Sequence, residues 1–133
     1  MKSILFIDHE PIARNVFRWE LAGRYHILEA TSPVEALDIC RNHREIDLLV
    51  CDTELGLVSG MELASLLRAW NSSLRIILTT DLSCECWTER QNAELLELPP
   101  DDVFILERPF SARDLKAAIK KLVPEEIAVA RAI

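Results

Sequence analysis

The sequence predicts an α/β fold, a doubly wound five-stranded parallel sheet in the order 2-1-3-4-5 with five flanking helices. Short continuous apolar runs at 4–7 and 48–51 lead directly into Asp8 and Asp52. Such runs are typical of strands that are buried on both faces of a parallel sheet. Strand and helix patterns alternate five times with short connections, which places helices on both faces. The 133 residues, 50% of them hydrophobic, suit one domain with one ordinary core.

The five strands are expected where short apolar stretches are bounded by polar or turn-forming residues. Their ranges are 3–8, 25–29, 47–51, 75–79 and 103–106. The order 2-1-3-4-5 makes the first and third strands central neighbours. Asp8 and Asp52 are therefore expected side by side at the switch point of the sheet.

Helix boundaries follow from prolines and capping residues. Pro11 suits the first turn of a helix. Ser32–Glu35 and Ser111–Asp114 each have the pattern of a capping box, in which a hydroxyl and an acid three residues later satisfy the free amides of a helix start. The helices are accordingly expected at 11–22, at 33–43, following Gly60, within 84–96 and at 112–123.

One folded domain is expected over 1–123, followed by a tail or linker stub at 124–133, because Pro124 ends the last helix. We find no signal peptide before the first strand. No apolar run approaches the roughly 20 residues of a membrane span. A cytoplasmic location and no association with a membrane are the resulting expectations.

Charge and cysteine content restrict the possible functions. The formal net charge of −7 and the pI of about 5.0 argue against direct nucleic-acid binding, which normally requires a basic patch. Cys40 and Cys51 lie in apolar segments and are expected to be small core residues. Cys84 and Cys86 are closely spaced, but we see no second pair of ligands that would complete a metal site.

The two aspartates at strand ends predict an acidic pocket suited to a cation or a phosphoryl group, because ligands bind outside the carboxyl ends of parallel strands. A small flavodoxin-like nucleotide or flavin binder is a competing interpretation. It is disfavoured because 9–11 read His-Glu-Pro, where such a binder carries a glycine-rich phosphate loop.

Four motifs in order make the chain resemble the receiver domains of two-component response regulators, such as the chemotaxis regulators. An apolar strand runs into Asp8, and a second strand ends at Asp52 with Gly60 eight residues later. Thr80 matches the hydroxyl at the end of the fourth strand, with Thr79 the less favoured register. Arg108-Pro109 stands where the family has Lys-Pro. The resemblance covers roughly residues 3 to 123 and implies the flavodoxin-like receiver fold.

The resemblance implies a phosphoryl-transfer site. Asp52 would be the nucleophile and a metal ligand, while Asp8 and the backbone carbonyl of Glu54 would complete the metal side for Mg²⁺. Thr80 would hydrogen-bond the phosphoryl group, and Arg108 would supply the cationic side chain. A carboxylate can attack phosphorus when positive charge and hydrogen bonds relieve the repulsion between the two anions.

The resemblance also implies partners. A histidine kinase or phosphotransfer protein would donate the phosphoryl group, and a downstream protein or output domain would read the result. Homodimerisation would use the face formed by the fourth helix, the fifth strand and the fifth helix. The chain would be a switch and not a metabolic enzyme, with at most self-catalysed phosphoryl transfer and hydrolysis at Asp52.

His9 departs from the family pattern, because the family usually has an acidic metal ligand there. Neutral imidazole is a poor Mg²⁺ ligand and suits softer transition metals. Three alternatives follow: Glu10 takes over the role of the acid, Mg²⁺ binding is weakened or lost, or the site selects another metal. The expected metal ligands therefore include either His9 or Glu10, and the sequence does not decide between the two.

Two further departures concern the switch itself. Arg108 replaces a lysine, and its planar guanidinium could either bridge a phosphoryl oxygen or form a fixed ion pair with Asp52. Ile105 stands where the family often has an aromatic residue that reorients on activation, while Phe104 should face the other side of the strand. These departures motivate the alternative of a degenerate receiver that serves as a phosphorylation-independent interaction or dimerisation module.

Overall fold

Five parallel strands form a single sheet. They are Ser3–Ile7 (β1), His26–Ala30 (β2), Ile46–Asp52 (β3), Arg75–Thr80 (β4) and Val103–Glu107 (β5). Their order is β2-β1-β3-β4-β5, which confirms the predicted topology. The computed structural model describes residues 1–7, 21, 23–43, 45–81 and 86–124 of the chain.

Four α-helices lie within the described residues: Pro33–Asn42 (α1), Gly60–Trp70 (α2), Glu89–Leu96 (α3) and Ala112–Leu122 (α4). They correspond to the second to fifth predicted helices. Apart from Leu21, which is helical, the first predicted helix lies outside the described residues. The predicted tail from 125 onward also lies outside them. The observed strand and helix ends differ from the predicted ones by a residue or two, apart from α3, which begins five residues into the window that sequence allowed.

The helix starts largely follow the predicted capping chemistry. At α4 both halves of the box form between Ser111 and Asp114. At α1 the Ser32 hydroxyl accepts the Glu35 amide, but the Glu35 carboxylate accepts from Thr31 and not from Ser32. Among the described helices, a second complete capping box, between Thr88 and Gln91, opens α3. It fits the motif, in which Glu or Gln stands three residues after the cap, but was not identified in the sequence.

The sheet separates two apolar layers, because alternate residues of each strand point to opposite faces. The layer shared with α1 and α2 includes Leu5, Ile7, Leu49, Cys51, Ile76, Leu78 and Trp87. The layer shared with α4 includes Ile4, Phe6, Leu48, Val50, Ile77, Leu115 and Ile119. Both layers surround the central strands, which explains why β1, β3 and β4 have almost continuous apolar sequences.

The amino-terminal edge of the sheet is fastened by charge. Asp102, just before β5, lies 3.4 Å from the guanidinium of Arg68 at the end of α2 and 3.4 Å from that of Arg75 at the start of β4. This cluster lies at the opposite end of the sheet from Asp52. Within the described residues, every helix is too short or too polar to cross a bilayer.

Candidate functional site

Asp52 is the last residue of β3, at the carboxyl edge of the sheet, with about a fifth of its side chain exposed. The run that precedes it is fully integrated between β1 and β4, so the backbone holds the carboxylate at a fixed place. Its Oδ1 accepts the Glu54 amide at 3.2 Å and faces the Thr53 hydroxyl at 3.5 Å. The carboxylate is thus accessible and oriented by the loop that follows it.

Arg108 brings a positive charge to this carboxylate from just beyond β5. One Nη lies 3.0 Å from Asp52 Oδ2 and donates to the Thr79 hydroxyl at 3.2 Å. The other lies 3.5 Å from Asp81 Oδ1. The backbone amide of Arg108 donates to the Thr80 carbonyl at 2.8 Å, which continues the β4–β5 ladder. A planar guanidinium can reach three acceptors at once, whereas an ammonium is a single point charge.

The two threonines that end β4 occupy different positions. Asp52 and Thr79 are paired across β3 and β4, so their side chains share a face of the sheet. The Thr79 hydroxyl accepts from Arg108 and faces the Cys51 carbonyl at 3.5 Å. Thr80 is 2% exposed, and strand alternation places it on the opposite face. The structure therefore groups Thr79 with Asp52 and Arg108, and the role expected for Thr80 stays a prediction.

The spacing between Asp52 and Gly60 has a steric cause. A Cβ on Gly60 would lie 2.1 Å from the backbone oxygen of Asp52, which no side chain could tolerate. The Gly60 amide donates to the Thr53 carbonyl at 2.9 Å, and the Thr53 amide donates to the Thr79 carbonyl at 2.9 Å. The start of α2 is therefore packed directly against the end of β3.

The comparison with protein families decides the identity of this arrangement. The model of the response regulator receiver domain matches residues 4–120. This chain belongs to the response regulator receiver domain family. A search of curated proteins found no match to the chain.

Solved structures similar to this receiver include the response regulator TrrA from Thermotoga maritima in complex with Mg²⁺-BeF, with 31% identity and a TM-score of 0.73 over 92% of this chain and 100% of that one. A receiver domain from Clostridium thermocellum has 27% identity and a TM-score of 0.72 over 92% and 94% of the two chains. Chemotaxis protein CheY4 from Vibrio cholerae has 19% identity and a TM-score of 0.75 over 92% and 99%, and it supports the fold alone.

The metal side of this receiver is described only in part. Asp8, His9 and Glu10 lie outside the described residues, so the choice between His9 and Glu10 stays open. Ile7, which precedes Asp8, is paired with Cys51, which precedes Asp52. Where the structure is described, no group of three or more His, Cys, Asp or Glu residues could by itself hold a metal.

The described donors nevertheless fit a hard cation. The Asp52 carboxylate and the Glu54 carbonyl are oxygen donors, the ligand type that Mg²⁺ prefers. Asp52 Oδ1 accepts one well-formed hydrogen bond, from the Glu54 amide. A carboxylate oxygen has a second lone pair, so the Glu54 bond leaves Oδ1 able to bind a further partner.

The β5 residues confirm one expectation about this receiver. Ile105 packs against the layer with α1 and α2, whereas Phe104 packs on the opposite layer. The Lys121 ammonium lies 5.6 Å from the Phe104 ring centroid. An aromatic side chain from β5 thus lies on the α4 side and not where the aromatic residue of the family would stand.

The cysteines confirm their predicted roles where they are described. Cys40 and Cys51 are buried in the core, and Cys86 is exposed; Cys84 lies outside the described residues. Burial raises the pKa of the Cys40 thiol to about 11. Burial, followed by the charge of Asp52, also raises the pKa of the Cys51 thiol. Both buried thiols are protonated at neutral pH and take no part in the chemistry of the site.

Proposed function

We propose that this receiver accepts a phosphoryl group onto Asp52 from a histidine kinase or a phosphotransfer protein, and so switches a protein-interaction surface. The observation that carries the proposal is the 3.0 Å contact between Arg108 Nη and Asp52 Oδ2 at the carboxyl edge of the sheet. A guanidinium there offsets the charge of the nucleophile and can donate to an incoming phosphoryl oxygen.

In this reaction an Asp52 carboxylate oxygen forms a bond to phosphorus while the bond from phosphorus to the donor imidazole nitrogen breaks. The imidazole leaves with its electron pair and takes up a proton, and Asp52 becomes an acyl phosphate. Water later attacks the phosphorus and releases inorganic phosphate. Arg108 would turn one Nη from Asp52 Oδ2 to a phosphoryl oxygen. Once the acyl phosphate has formed, the hydroxyl of Thr80 would move toward the site and donate to another.

Mg²⁺ suits this site, with Asp8, the Asp52 carboxylate and the Glu54 carbonyl as the proposed ligands and His9 or Glu10 beside them. The ion would supply positive charge that offsets the phosphoryl oxygens. Arg108 lies on the other side of the carboxylate, bonded to Oδ2, while the Glu54 loop bonds to Oδ1. The two oxygens of Asp52 therefore serve two different sets of partners.

The readout of the switch is proposed at the face formed by α3, β5 and α4. Arg108 is bonded to the end of β4 through its backbone and to Asp52 through its side chain, so a change at Asp52 reaches this face directly. A downstream protein or an output domain would bind there, and a homodimer could use the same face. We place the chain in the cytoplasm as a signalling switch and not as a metabolic enzyme, with no direct nucleic-acid binding.

Labelling with a small phosphodonor tests this proposal. With acetyl phosphate and Mg²⁺ the chain should gain one acid-stable, hydroxylamine-labile phosphoryl group, and Asp52→Asn should abolish it. Asp81→Asn is a matched control, because Asp81 also contacts Arg108 but is largely exposed. Labelling of Asp52→Asn at another residue would overturn the assignment.

A second candidate function, the degenerate receiver, is favoured by the same ion pair. Arg108 already neutralises Asp52 without any phosphate, and Asp81 provides it with a second carboxylate. Such a closed arrangement could maintain one conformation as an interaction or dimerisation module. A saturable, Mg²⁺-dependent change in tryptophan fluorescence with beryllofluoride would remove this candidate, and an unchanged signal would favour it.

A further inference from the structure

Ser59 connects two elements that the receiver motifs do not relate. Its hydroxyl accepts the Glu62 amide at 3.0 Å and thereby caps α2. The same hydroxyl donates to Glu94 Oε2 on α3, a residue 35 positions further along the chain. The Glu94 side chain is only 16% exposed, so this bond is partly shielded from water, which reduces competition from solvent.

Glu94 has a second set of contacts that orients it. Its Oε1 accepts from Arg90 at 3.1 Å, one turn earlier in α3, and Arg90 also lies 3.4 Å from Glu62 on α2. The exposed Arg90–Glu62 pair contributes little by itself. The contacts of Arg90 matter for geometry, because they direct the Glu94 carboxylate toward Ser59.

The other side of Ser59 leads to Asp52. Ser59 and Glu54 form an isolated antiparallel bridge that closes the loop between them. The Glu54 amide is the group that donates to Asp52 Oδ1. Three contacts therefore connect Asp52 to α3: Asp52 with Glu54, Glu54 with Ser59, and Ser59 with Glu94.

The hydrogen bond between Ser59 and Glu94 is one of few contacts that hold α3, because α3 contributes no fully buried residue to the core. Leu95 is partly buried against the layer below it, while Glu94 provides hydrogen bonds to the loop and to its own helix. In addition, Ile105 lacks the aromatic ring that would couple the phosphoacceptor to this face from β5. The Ser59–Glu94 bond thus attaches α3 to the loop after Asp52, beside the apolar packing of Leu95.

We propose that Ser59 and Glu94 are positioning residues: their hydrogen bond holds the loop that orients Asp52, and it couples the occupancy of Asp52 to α3. This inference rests on the proposed function for its ligand, a phosphoryl group on Asp52. It adds a route to the face formed by α3, β5 and α4 that uses neither Thr80 nor an aromatic residue of β5. Coupling of this kind is reciprocal, so α3 also affects the affinity at Asp52.

Amide hydrogen exchange measured by NMR tests the connection without any ligand. Glu94→Ala removes the acceptor and leaves the Ser59 cap of α2 intact, and it should accelerate exchange of the Glu54 amide at least about fivefold. Glu94→Gln keeps an acceptor oxygen and should restore most of the protection. Glu97→Ala, on an exposed residue beyond the end of α3, is the matched control and should leave Glu54 unchanged. An unchanged Glu54 amide in Glu94→Ala would overturn the inference.

Beryllofluoride titration at saturating Mg²⁺ tests the consequence for Asp52. Glu94→Ala and Ser59→Ala should raise the Kd for beryllofluoride at least about fivefold, while Ser59→Thr and Glu97→Ala should match the unmodified chain. Equal Kd values in all variants would overturn the positioning role. An unmodified chain that binds no beryllofluoride would overturn both the proposed function and the effect on affinity. Exchange of the Glu54 amide tests the Ser59–Glu94 connection separately, because it requires no ligand.

Discussion

Arg108 and Asp52 form a 3.0 Å ion pair between the ends of β5 and β3, with about a fifth of each side chain exposed. The pair neutralises the Asp52 carboxylate in the absence of any phosphoryl group. The second terminal nitrogen of Arg108 contacts Asp81, so one guanidinium pairs with two carboxylates. The availability of Asp52 therefore depends on how strongly Arg108 is held by its other partners.

Arg108→Lys should make Asp52 easier to phosphorylate. An ammonium on a flexible stem cannot reproduce the simultaneous contacts with Asp52, Thr79 and Asp81 that the guanidinium makes. We expect labelling by acetyl phosphate to be about threefold to tenfold faster, a change of roughly 1 kcal/mol in the barrier. Initial rates by intact-protein mass spectrometry measure this, with Arg113→Lys on the exposed side of α4 as a control. A slower rate in Arg108→Lys would show that donation from the guanidinium to the phosphoryl group outweighs its hold on Asp52.

The two threonines of β4 should have separable effects. Thr79→Val removes the hydroxyl that accepts from Arg108 and should change the rate of labelling, because Arg108 loses a partner beside Asp52. Thr80→Val should leave labelling within about twofold but reduce the beryllofluoride-induced change at the face formed by α3, β5 and α4. Chemical shifts of backbone amides on that face provide the readout. The opposite pattern would assign the phosphoryl-binding hydroxyl to Thr79.

Gly60→Ala should destabilise the fold and disturb the site together. The new Cβ would collide with the Asp52 carbonyl, and overpacking of this kind typically costs about 1–3 kcal/mol. Gly56→Ala is a control with a different mechanism, because nothing lies within 4 Å of its Cβ but its φ is +96°, a conformation that costs an L-residue roughly 1–2 kcal/mol. Urea unfolding should show both losses, whereas only Gly60→Ala should also slow phosphorylation of the folded chain.

Burial of Cys40 predicts a pH dependence of stability. The pKa of its thiol rises from 9.0 to about 11 on folding. The contribution of Cys40 is therefore fully present below pH 9 and is lost as pH rises toward 11, when the unfolded chain ionises first. The loss should be on the order of 1 kcal/mol. Urea unfolding between pH 8 and 11 should show a shallower decline in Cys40→Ala than in Cys86→Ala, where the thiol is exposed. Equal declines in the two variants would show that burial of the Cys40 thiol does not cause the loss of stability.

The sequence predicted the topology because strand burial and capping are local signals. Two-sided burial of β3 and β4 requires apolar residues at successive central positions, 48–51 and 76–78, and that pattern is visible without the structure. The Ser111 cap was predicted for the same reason, since the two interacting residues are only three apart. The pairing of Arg108 with Asp52 was anticipated as one of two alternatives.

Other features depend on residues that only the fold brings together. The Ser59–Glu94 bond joins positions 35 apart, and Asp102 gathers arginines from two different elements; neither has a sequence pattern. The choice between Thr79 and Thr80 depends on strand register, which a shift of one residue reverses. Such contacts are long-range consequences of topology and not of local propensity.

An ion-pair cluster stabilises each end of the sheet, and the two clusters have opposite ratios of cations to anions. At the carboxyl edge one arginine serves two carboxylates, whereas at the amino edge Asp102 serves two arginines. A new anion at the carboxyl edge competes with Asp52 and Asp81 for the single guanidinium of Arg108. At the amino edge two guanidinium groups share the single carboxylate of Asp102. Signalling chemistry that adds negative charge can therefore rearrange one end of the molecule and leave the other as a fixed anchor.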